Sequence, residues 1–220
     1  MNILSCGLFY LLRRGWFLDM IKRNMKIAIV DYKAGNLQNV TNALNVLGRS
    51  FEIVKEPAEL FRFDKVILPG VGAAASAMTK LAERGFDKAL PNLKVPVLGI
   101  CLGLQLSADF SEEGNVKCLS IIPGRVKRFE TDLKVPHMGW NKVKIIQHSP
   151  LLTGLSDNDF FYFVHSYYLQ CPKELIVGET TYDVIFPSIV QKGNFYATQF
   201  HPEKSSKSGL QLLKNFCDLC

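Results

Sequence analysis

From Met25 onward the chain alternates short apolar runs with stretches of helical periodicity, and this alternation narrows the possible folds more than any other feature. Ile27 to Val30 is apolar throughout and reads as a buried first strand. Asn36 to Leu47 carries Leu37, Val40, Leu44 and Leu47 at helical spacing and is stopped by Gly48. Phe51 to Val54 and Lys65 to Leu68 read as strands, Ala73 to Arg84 as a helix, and Val95 to Ile100 as a buried strand that enters a helix after Cys101. Strand, helix and strand in succession imply a largely parallel sheet covered on both faces. Beyond Gly114 the grammar changes. Arg125 to Phe129, Val143 to Ile146, Phe160 to Val164, Leu175 to Thr180, Ile189 to Gln191 and Phe195 to Gln199 read as strands separated by turns, and Ser208 to Phe216 as a closing helix. The expectation is one α/β domain over residues 25–220, whose mixed sheet is parallel early and antiparallel late.

Residues 1–24 stand apart from this pattern. Ile3 to Leu12 is apolar but too short to span a bilayer of ~30 Å, and the Arg13-Arg14 pair follows the apolar stretch where a signal peptide would place charge before it. The segment reads as an upstream extension or misassigned start outside the fold, the alternative being a short amphipathic arm on a partner or membrane surface.

Charge excludes one function class. Of the net +6, residues 1–24 contribute +3 through Arg13, Arg14, Lys22 and Arg23 against Asp19, so three surplus charges remain over the rest. No run of Lys or Arg interleaves with aromatics, so a nucleic-acid partner is not expected. Hydrophobic residues at 48% and charged ones at 21% exclude disorder. The six cysteines are too sparse for a disulfide framework and fit free thiols in a reducing compartment. Cys217 and Cys220 spell CxxC, but no second pair or nearby His completes a zinc site, and no metal is expected.

The chemistry concentrates at Gly99-Ile100-Cys101-Leu102-Gly103. A strand, a Gly-x-Cys-x-Gly turn and a helix form a nucleophile elbow with sulfur in place of oxygen. At a helix amino terminus the dipole and unpaired N–H groups favour thiolate over thiol. Such a nucleophile needs a base, and only one of the four histidines has an acid at a fixed offset. In His201-Pro202-Glu203, Pro202 holds His201 extended, and residues two apart in an extended segment project to one side, so Glu203 can orient the imidazole. His137, His148 and His165 lack this companion and read as structural or partner-facing. Pro69-Gly70-Val71-Gly72 directly follows a strand, and its backbone N–H groups at Val71 and Gly72, joined by that of Leu102, suit an oxyanion hole. No phosphate loop and no GxGxxG follows any strand, so neither nucleotide nor dinucleotide is called for.

These segments, together with Asp31-Tyr32-Lys33-Ala34-Gly35-Asn36-Leu37, Pro136-His137-Met138-Gly139-Trp140-Asn141, His165-Ser166-Tyr167-Tyr168 and Gln199-Phe200-His201-Pro202-Glu203-Lys204-Ser205, closely resemble the class I (triad) glutamine amidotransferases, specifically the glutaminase subunits of imidazole glycerol phosphate synthase. The resemblance runs from Met25 to about Cys220. It implies a three-layer, flavodoxin-like α/β fold, and glutamine hydrolysis in which Cys101 attacks the amide, His201 shuttles the proton and Glu203 orients His201. A glutamyl thioester follows and water clears it, with no cofactor. Gly70, Gln105, Glu113 and the His165-Ser166-Tyr167 segment would hold glutamine. Asn36, Met138, Trp140 and Lys204 would face a (β/α)8 synthase subunit that receives the ammonia, in a cytoplasmic heterodimer with no membrane contact. Met138 and Trp140, in a Gly-flanked loop after Pro136, read as exposed anchors.

The chain departs from the family pattern at Lys33, where Gly is common, at Ala75, where an aromatic is common, and at Leu104, where Met is usual. Lys33 and Ala75 fall near the expected mouth of the site and leave room for a variant synthase, such as one in surface-sugar biosynthesis. Two readings from other classes stay open: a non-catalytic scaffolding paralogue, and a stand-alone cysteine hydrolase.

Overall fold

The computed structural model describes residues 25–33 and 37–220. The expectations placed on residues 1–24 and on Asn36 lie outside the described residues.

In the first half, strands and helices alternate: β1 (Ile27–Val30), α1 (Leu37–Val46), β2 (Phe51–Val54), β3 (Lys65–Leu68), α2 (Ala74–Glu83), the short α3 (Phe86–Ala89), β4 (Val97–Ile100) and α4 (Leu102–Leu106). The later strands are β5 (Phe110–Ser111), β6 (Val116–Lys117), β7 (Arg125–Arg128), β8 (His137–Lys142), β9 (Lys144–Ile145), β10 (Phe160–His165), β11 (Tyr167–Gln170), β12 (Ile176–Tyr182), β13 (Val184–Lys192) and β14 (Phe195–Thr198), before the closing helix α5 (Ser206–Leu219).

Eight strands form the main sheet in the order β2-β1-β3-β4-β14-β13-β12-β9. The first five are parallel, and β13, β12 and β9 add in antiparallel fashion. The parallel part has the 2-1-3-4-5 order of flavodoxin-like folds, in which ligands bind beyond the carboxyl ends of the strands.

Period-2 alternation divides the core into two layers. In β1, Ala28 and Val30 face a cluster with Leu81 of α2 and Phe86 of α3, while Ile27 and Ile29 face one built with Leu44 of α1 and Leu212, Leu213 and Phe216 of α5. Burying a Leu or Ile side chain on either face stabilises by roughly 1.5–3 kcal/mol, which is why these strands read as continuous apolar runs.

Two small sheets complete the molecule: β11-β7-β5-β6, and the antiparallel ribbon of β8 and β10. The ribbon corrects the reading of Pro136 to Asn141 as a loop. Alternation within β8 sends Met138 and Trp140 outward, 62% and 53% exposed, and buries His137 on the other face. The two exposed side chains are therefore presented by a strand rather than a loop tip. Among the described residues, no helix is long and apolar enough to cross a membrane.

Candidate functional site

The site is built where β4 and β14 end side by side. Thr198 pairs with Ile100 in parallel register, and the Cys101 N–H donates to the Thr198 carbonyl at 2.7 Å. Cys101 then turns with φ 52° and ψ −103° before α4 begins. A non-glycine residue in that region carries about 1–3 kcal/mol of strain and persists only where its surroundings fix it. Three glycines allow those surroundings to close in. A Cβ on Gly99 would lie 2.9 Å from the Gly103 carbonyl group, one on Gly70 would lie 2.7 Å from Leu102 Cβ, and one on Gly103 would overlap the Leu68 carbonyl oxygen. Gly70 thus packs beneath the elbow.

Beyond β14 the chain runs through Gln199, Phe200 and His201 into a 3-10 turn, Pro202–Lys204. His201 itself is extended, so the His–Glu pairing comes from this turn and not from a continuous extended segment. His201 Nδ1 and Glu203 Oε1 lie 2.8 Å apart, and each side chain is 2% exposed. The carboxylate oxygen can only accept, so Nδ1 carries the proton and Nε2 is the nitrogen left for chemistry. Nε2 makes no hydrogen bond at standard distance. Burial drives the His201 pKa down, but the charge and proximity of the Cys101 sulfur, reinforced by the hydrogen bond and charge of Glu203, outweigh it and push it up to about 10. His201 is therefore held in its protonated form beside the Cys101 sulfur.

Both groups open on a cleft of about 310 Å³ lined by Val71, Gly72, Cys101, Leu102, Gln105, Glu113, Pro136, Val164, His165, Ser166, Tyr167 and His201. Every candidate for the oxyanion hole is in this wall, as are Gln105, Glu113 and the segment from His165 to Tyr167. Gly70 lies under the elbow and Glu203 behind His201. Met138, Trp140 and Lys204 lie outside the cleft on an exposed face, where Trp140 meets Tyr162 edge-on at 6.1 Å and Lys204 Nζ stands 5.9 Å from the same ring.

Glu113 has a structural employment that the sequence does not announce. Helix α2 begins with Ala73 as a cap lacking a side-chain acceptor, and Glu113 Oε2 accepts from the Ala74 N–H at 2.8 Å. The departures from the family pattern have local accounts. Lys33 sits at φ 63°, a conformation glycine adopts freely, and is held by its N–H donating to Asp31 Oδ1 at 2.9 Å. Ala75 faces Gly114, where even a Cβ would come within 2.5 Å of its own. Nothing in the structure explains Leu104. The CxxC thiols of Cys217 and Cys220 are free and pushed up by burial to about 12 and about 11, so both are held as thiols.

Sequence reading also missed a buried histidine pair. His165 Nδ1 lies 2.8 Å from the Tyr167 carbonyl, which only accepts, so Nδ1 holds the proton and Nε2 is an acceptor. His137 Nδ1, 3.1 Å away, donates to it, and His137 Nε2 is left to accept from Asn141 Nδ2 at 3.3 Å. The chain of bonds runs from the exposed ribbon to the cleft wall. Burial pushes His137 down to about 4 and, despite its bond to Tyr167, His165 down to about 3.

These shifts fix a sign. Unfolded histidines titrate near 6.5, so between pH 6.5 and about 4 the unfolded chain binds more protons than the folded one, and acidification destabilises the fold. His201 is raised, so its contribution is fully present below 6.5 and is lost as pH rises toward about 10. Urea unfolding is expected to show stability falling between pH 6.5 and 4.5, with a shallower fall in His137→Asn. Equal slopes in the two proteins would contradict the buried neutral pair.

The family described as Glutamine amidotransferase class-I matches residues 28–219. Among solved structures of similar fold are PurLQS from Thermotoga maritima, with a TM-score of 0.67 and 16% identity over 87% of this chain and 97% of that one, and a glutamine amidotransferase from the same organism, with a TM-score of 0.59 and 17% identity over 88% and 83%. Among curated relatives, the imidazole glycerol phosphate synthase subunit HisH of Bacteroides fragilis (strain YCH46) is 48% identical over 198 residues, covering 89% of this chain and all of the relative. The HisH subunit of Bacillus thuringiensis subsp. konkukian (strain 97-27) is 45% identical over 194 residues, covering 86% and 93%. The chain belongs to the class-I glutamine amidotransferases, in the branch of the synthase subunits HisH.

Proposed function

We propose that this chain is the glutaminase subunit of imidazole glycerol phosphate synthase, working in the cytoplasm with glutamine as substrate and without a cofactor. One observation carries the reading: Cys101 and His201, the latter backed by Glu203, face the same cleft beyond the ends of two adjacent parallel strands in a chain 48% identical to a HisH subunit.

In this reading Cys101 Sγ attacks the side-chain amide carbon of glutamine. The N–H groups of Val71, Gly72 and Leu102 receive the developing oxyanion, and His201 passes its Nε2 proton to the departing ammonia. Glu203 keeps the imidazole in the right tautomer and stabilises its charged form. Water, deprotonated by His201, then hydrolyses the glutamyl thioester. Gln105 and Glu113 take the α-amino end of glutamine, and the backbone of His165, Ser166 and Tyr167 its carboxylate. Gly70 supports the elbow.

Ammonia in neutral water becomes ammonium and loses its nucleophilicity, so the product must pass to a docked acceptor. Met138, Trp140 and Lys204 form the face for a (β/α)8 synthase subunit, and Asn36 is assigned to the same contact. An exposed tryptophan beside a methionine and a cation has the composition of an interface hot spot. The test is glutamate release from glutamine with and without the synthase subunit and its nucleotide ligand. Release is expected to rise by orders of magnitude when both are present. Trp140→Ala is expected to weaken association by roughly 2 kcal/mol, about thirtyfold in Kd, at an unchanged unfolding midpoint. Equal release with and without the synthase would remove the coupling, and undiminished affinity in the variant would remove Trp140 from the contact.

A further inference from the structure

Gln199 is fully buried, two residues before His201, and has no part in the mechanism above. Its position follows from the sheet. Thr198 pairs with Ile100 at the end of β14, so the bend that follows starts beside Cys101 and carries Gln199 to the sulfur, two residues before His201. The intervening Phe200 goes the other way, stacking on Phe161 at 4.2 Å. Gln199 is further fixed by its own N–H, which donates to the Ser188 carbonyl at 2.9 Å.

The orientation of its amide can be deduced from a fixed point. The Tyr167 carbonyl only accepts, so the Gln105 side-chain atom 2.9 Å from it is the nitrogen, Nε2. That same nitrogen lies 3.3 Å from the Gln199 amide, and the atom facing a donor must be the acceptor Oε1. Gln199 Nε2 is then turned the other way, onto Cys101 Sγ at 3.8 Å. A backbone carbonyl in the cleft wall thus determines, through two buried amides, that an N–H and not an oxygen points at the sulfur. On another side of the sulfur, Val164 presents a carbonyl oxygen at 4.0 Å, which accepts from a thiol and repels a thiolate.

We infer that Gln199 is a further catalytic residue, donating an amide N–H to Cys101 Sγ and favouring the thiolate against the opposing Val164 carbonyl, with Gln105 as the residue that locks its orientation. The inference rests on the reading of Cys101 as the nucleophile. Other groups that face the sulfur are accounted for. His201 brings positive charge from the end of β14 and is itself held by Glu203. The Tyr32 hydroxyl, from the end of β1, is kept neutral by burial and donates to the Pro69 carbonyl at 3.1 Å. Across the cleft His165 is neutral, and Glu113 is engaged with the start of α2. Gln105 joins the proposed glutamine site to this chain of amides, so a displaced Gln105 would release the N–H from the sulfur.

The experiment is alkylation of the whole subunit by iodoacetamide across pH, followed at the Cys101 peptide by mass spectrometry, so that the other free thiols do not interfere. Gln199→Met keeps the length of the side chain and removes the donor. Its alkylation midpoint is expected about one pH unit above wild type, a tenfold smaller thiolate fraction at any pH well below the wild-type midpoint, and kcat for glutamine hydrolysis in the synthase complex is expected to fall by about the same factor in that pH range. Gln199→Glu, equal in shape, places a carboxylate there and is expected to shift the midpoint further. A Gln199→Met profile that superimposes on wild type in a protein with the wild-type unfolding midpoint would overturn the inference. Should that variant fail to fold, an unshifted Gln199→Glu profile would do the same. A shifted profile in a protein that releases no glutamate in the complex would defeat the proposed function alone, and release with unmoved profiles would defeat this inference alone.

Discussion

Replacing Cys101 by alanine is expected to lower glutamine-dependent synthesis by the complex at least about a thousandfold, while synthesis from added ammonium salts continues at the wild-type rate. The separation follows from the division of labour proposed above: the sulfur makes the thioester that frees ammonia, and the partner consumes ammonia whatever its source. Stability should change little. Cys101 is 7% exposed, so losing the sulfur leaves a cavity worth about 1 kcal/mol, and its strained backbone is no less strained with alanine. The variant also has a spectroscopic consequence. With the sulfur's charge gone, burial is opposed only by Glu203, so the His201 pKa is expected to fall well below about 10 in a proton-detected titration. Loss of both glutamine-dependent and ammonium-dependent synthesis would make Cys101 structural; an unmoved His201 would separate the two groups.

How much of this was legible in the sequence depends on how local each signal is. The inner parallel strands announce themselves because both faces of each are covered, leaving uninterrupted apolar runs such as Ile27 to Val30 and Val66 to Leu68, whereas the edge strand β2 exposes Glu52 and Ile53. The elbow and the His-Pro-Glu segment are equally local, each a few residues whose geometry is fixed by neighbours in sequence. Strand β8 is different: it alternates His137, Met138, Gly139, Trp140 and Asn141, and only its pairing with β10 makes it a strand. The two-residue strands β5 and β6 and the edge strand β11 carry no pattern strong enough to read. Strand β13 was legible only as Ile189 to Gln191, because Pro187 and the polar Ser188 interrupt a nine-residue element. Long-range polar pairs leave no trace in the sequence at all. Glu113 capping α2 across 39 residues and His137 bonded to His165 across 28 are consequences of the fold. Gln199 lies between these cases: an amide two residues before the proposed base, just past the strand that ends beside Cys101, is visible, but that its nitrogen faces the sulfur follows only from Tyr167 and Gln105 in three dimensions.

The glycines of the elbow invite a sharper distinction between a residue needed for its backbone freedom and one needed for its missing side chain. Gly103 belongs to the second kind. Its φ is not in the left-handed region, yet a Cβ there would overlap the Leu68 carbonyl oxygen, a backbone atom at the end of β3 with its own place in the sheet. Accommodation would require β3 and α4 to separate, carrying with them Gly70, whose own space is set by Leu102 and Gly103. Overpacking that only side chains must absorb costs about 1–3 kcal/mol, so Gly103→Ala is expected to cost at least ~3 kcal/mol, since here the backbone has to move. Gly48 is the fitting control: φ is +64° and a Cβ meets nothing within 4 Å, so Gly48→Ala should cost only the strain of the left-handed region, about 1–2 kcal/mol. Urea unfolding of the two variants beside wild type measures the difference. Whatever fraction of Gly103→Ala folds should also hydrolyse glutamine poorly, because the displaced elbow carries the Leu102 N–H and Cys101 Sγ away from His201. Equal destabilisation by the two substitutions would mean that β3 and α4 yield more readily than their packing implies, and full activity in Gly103→Ala would show that the elbow tolerates their separation.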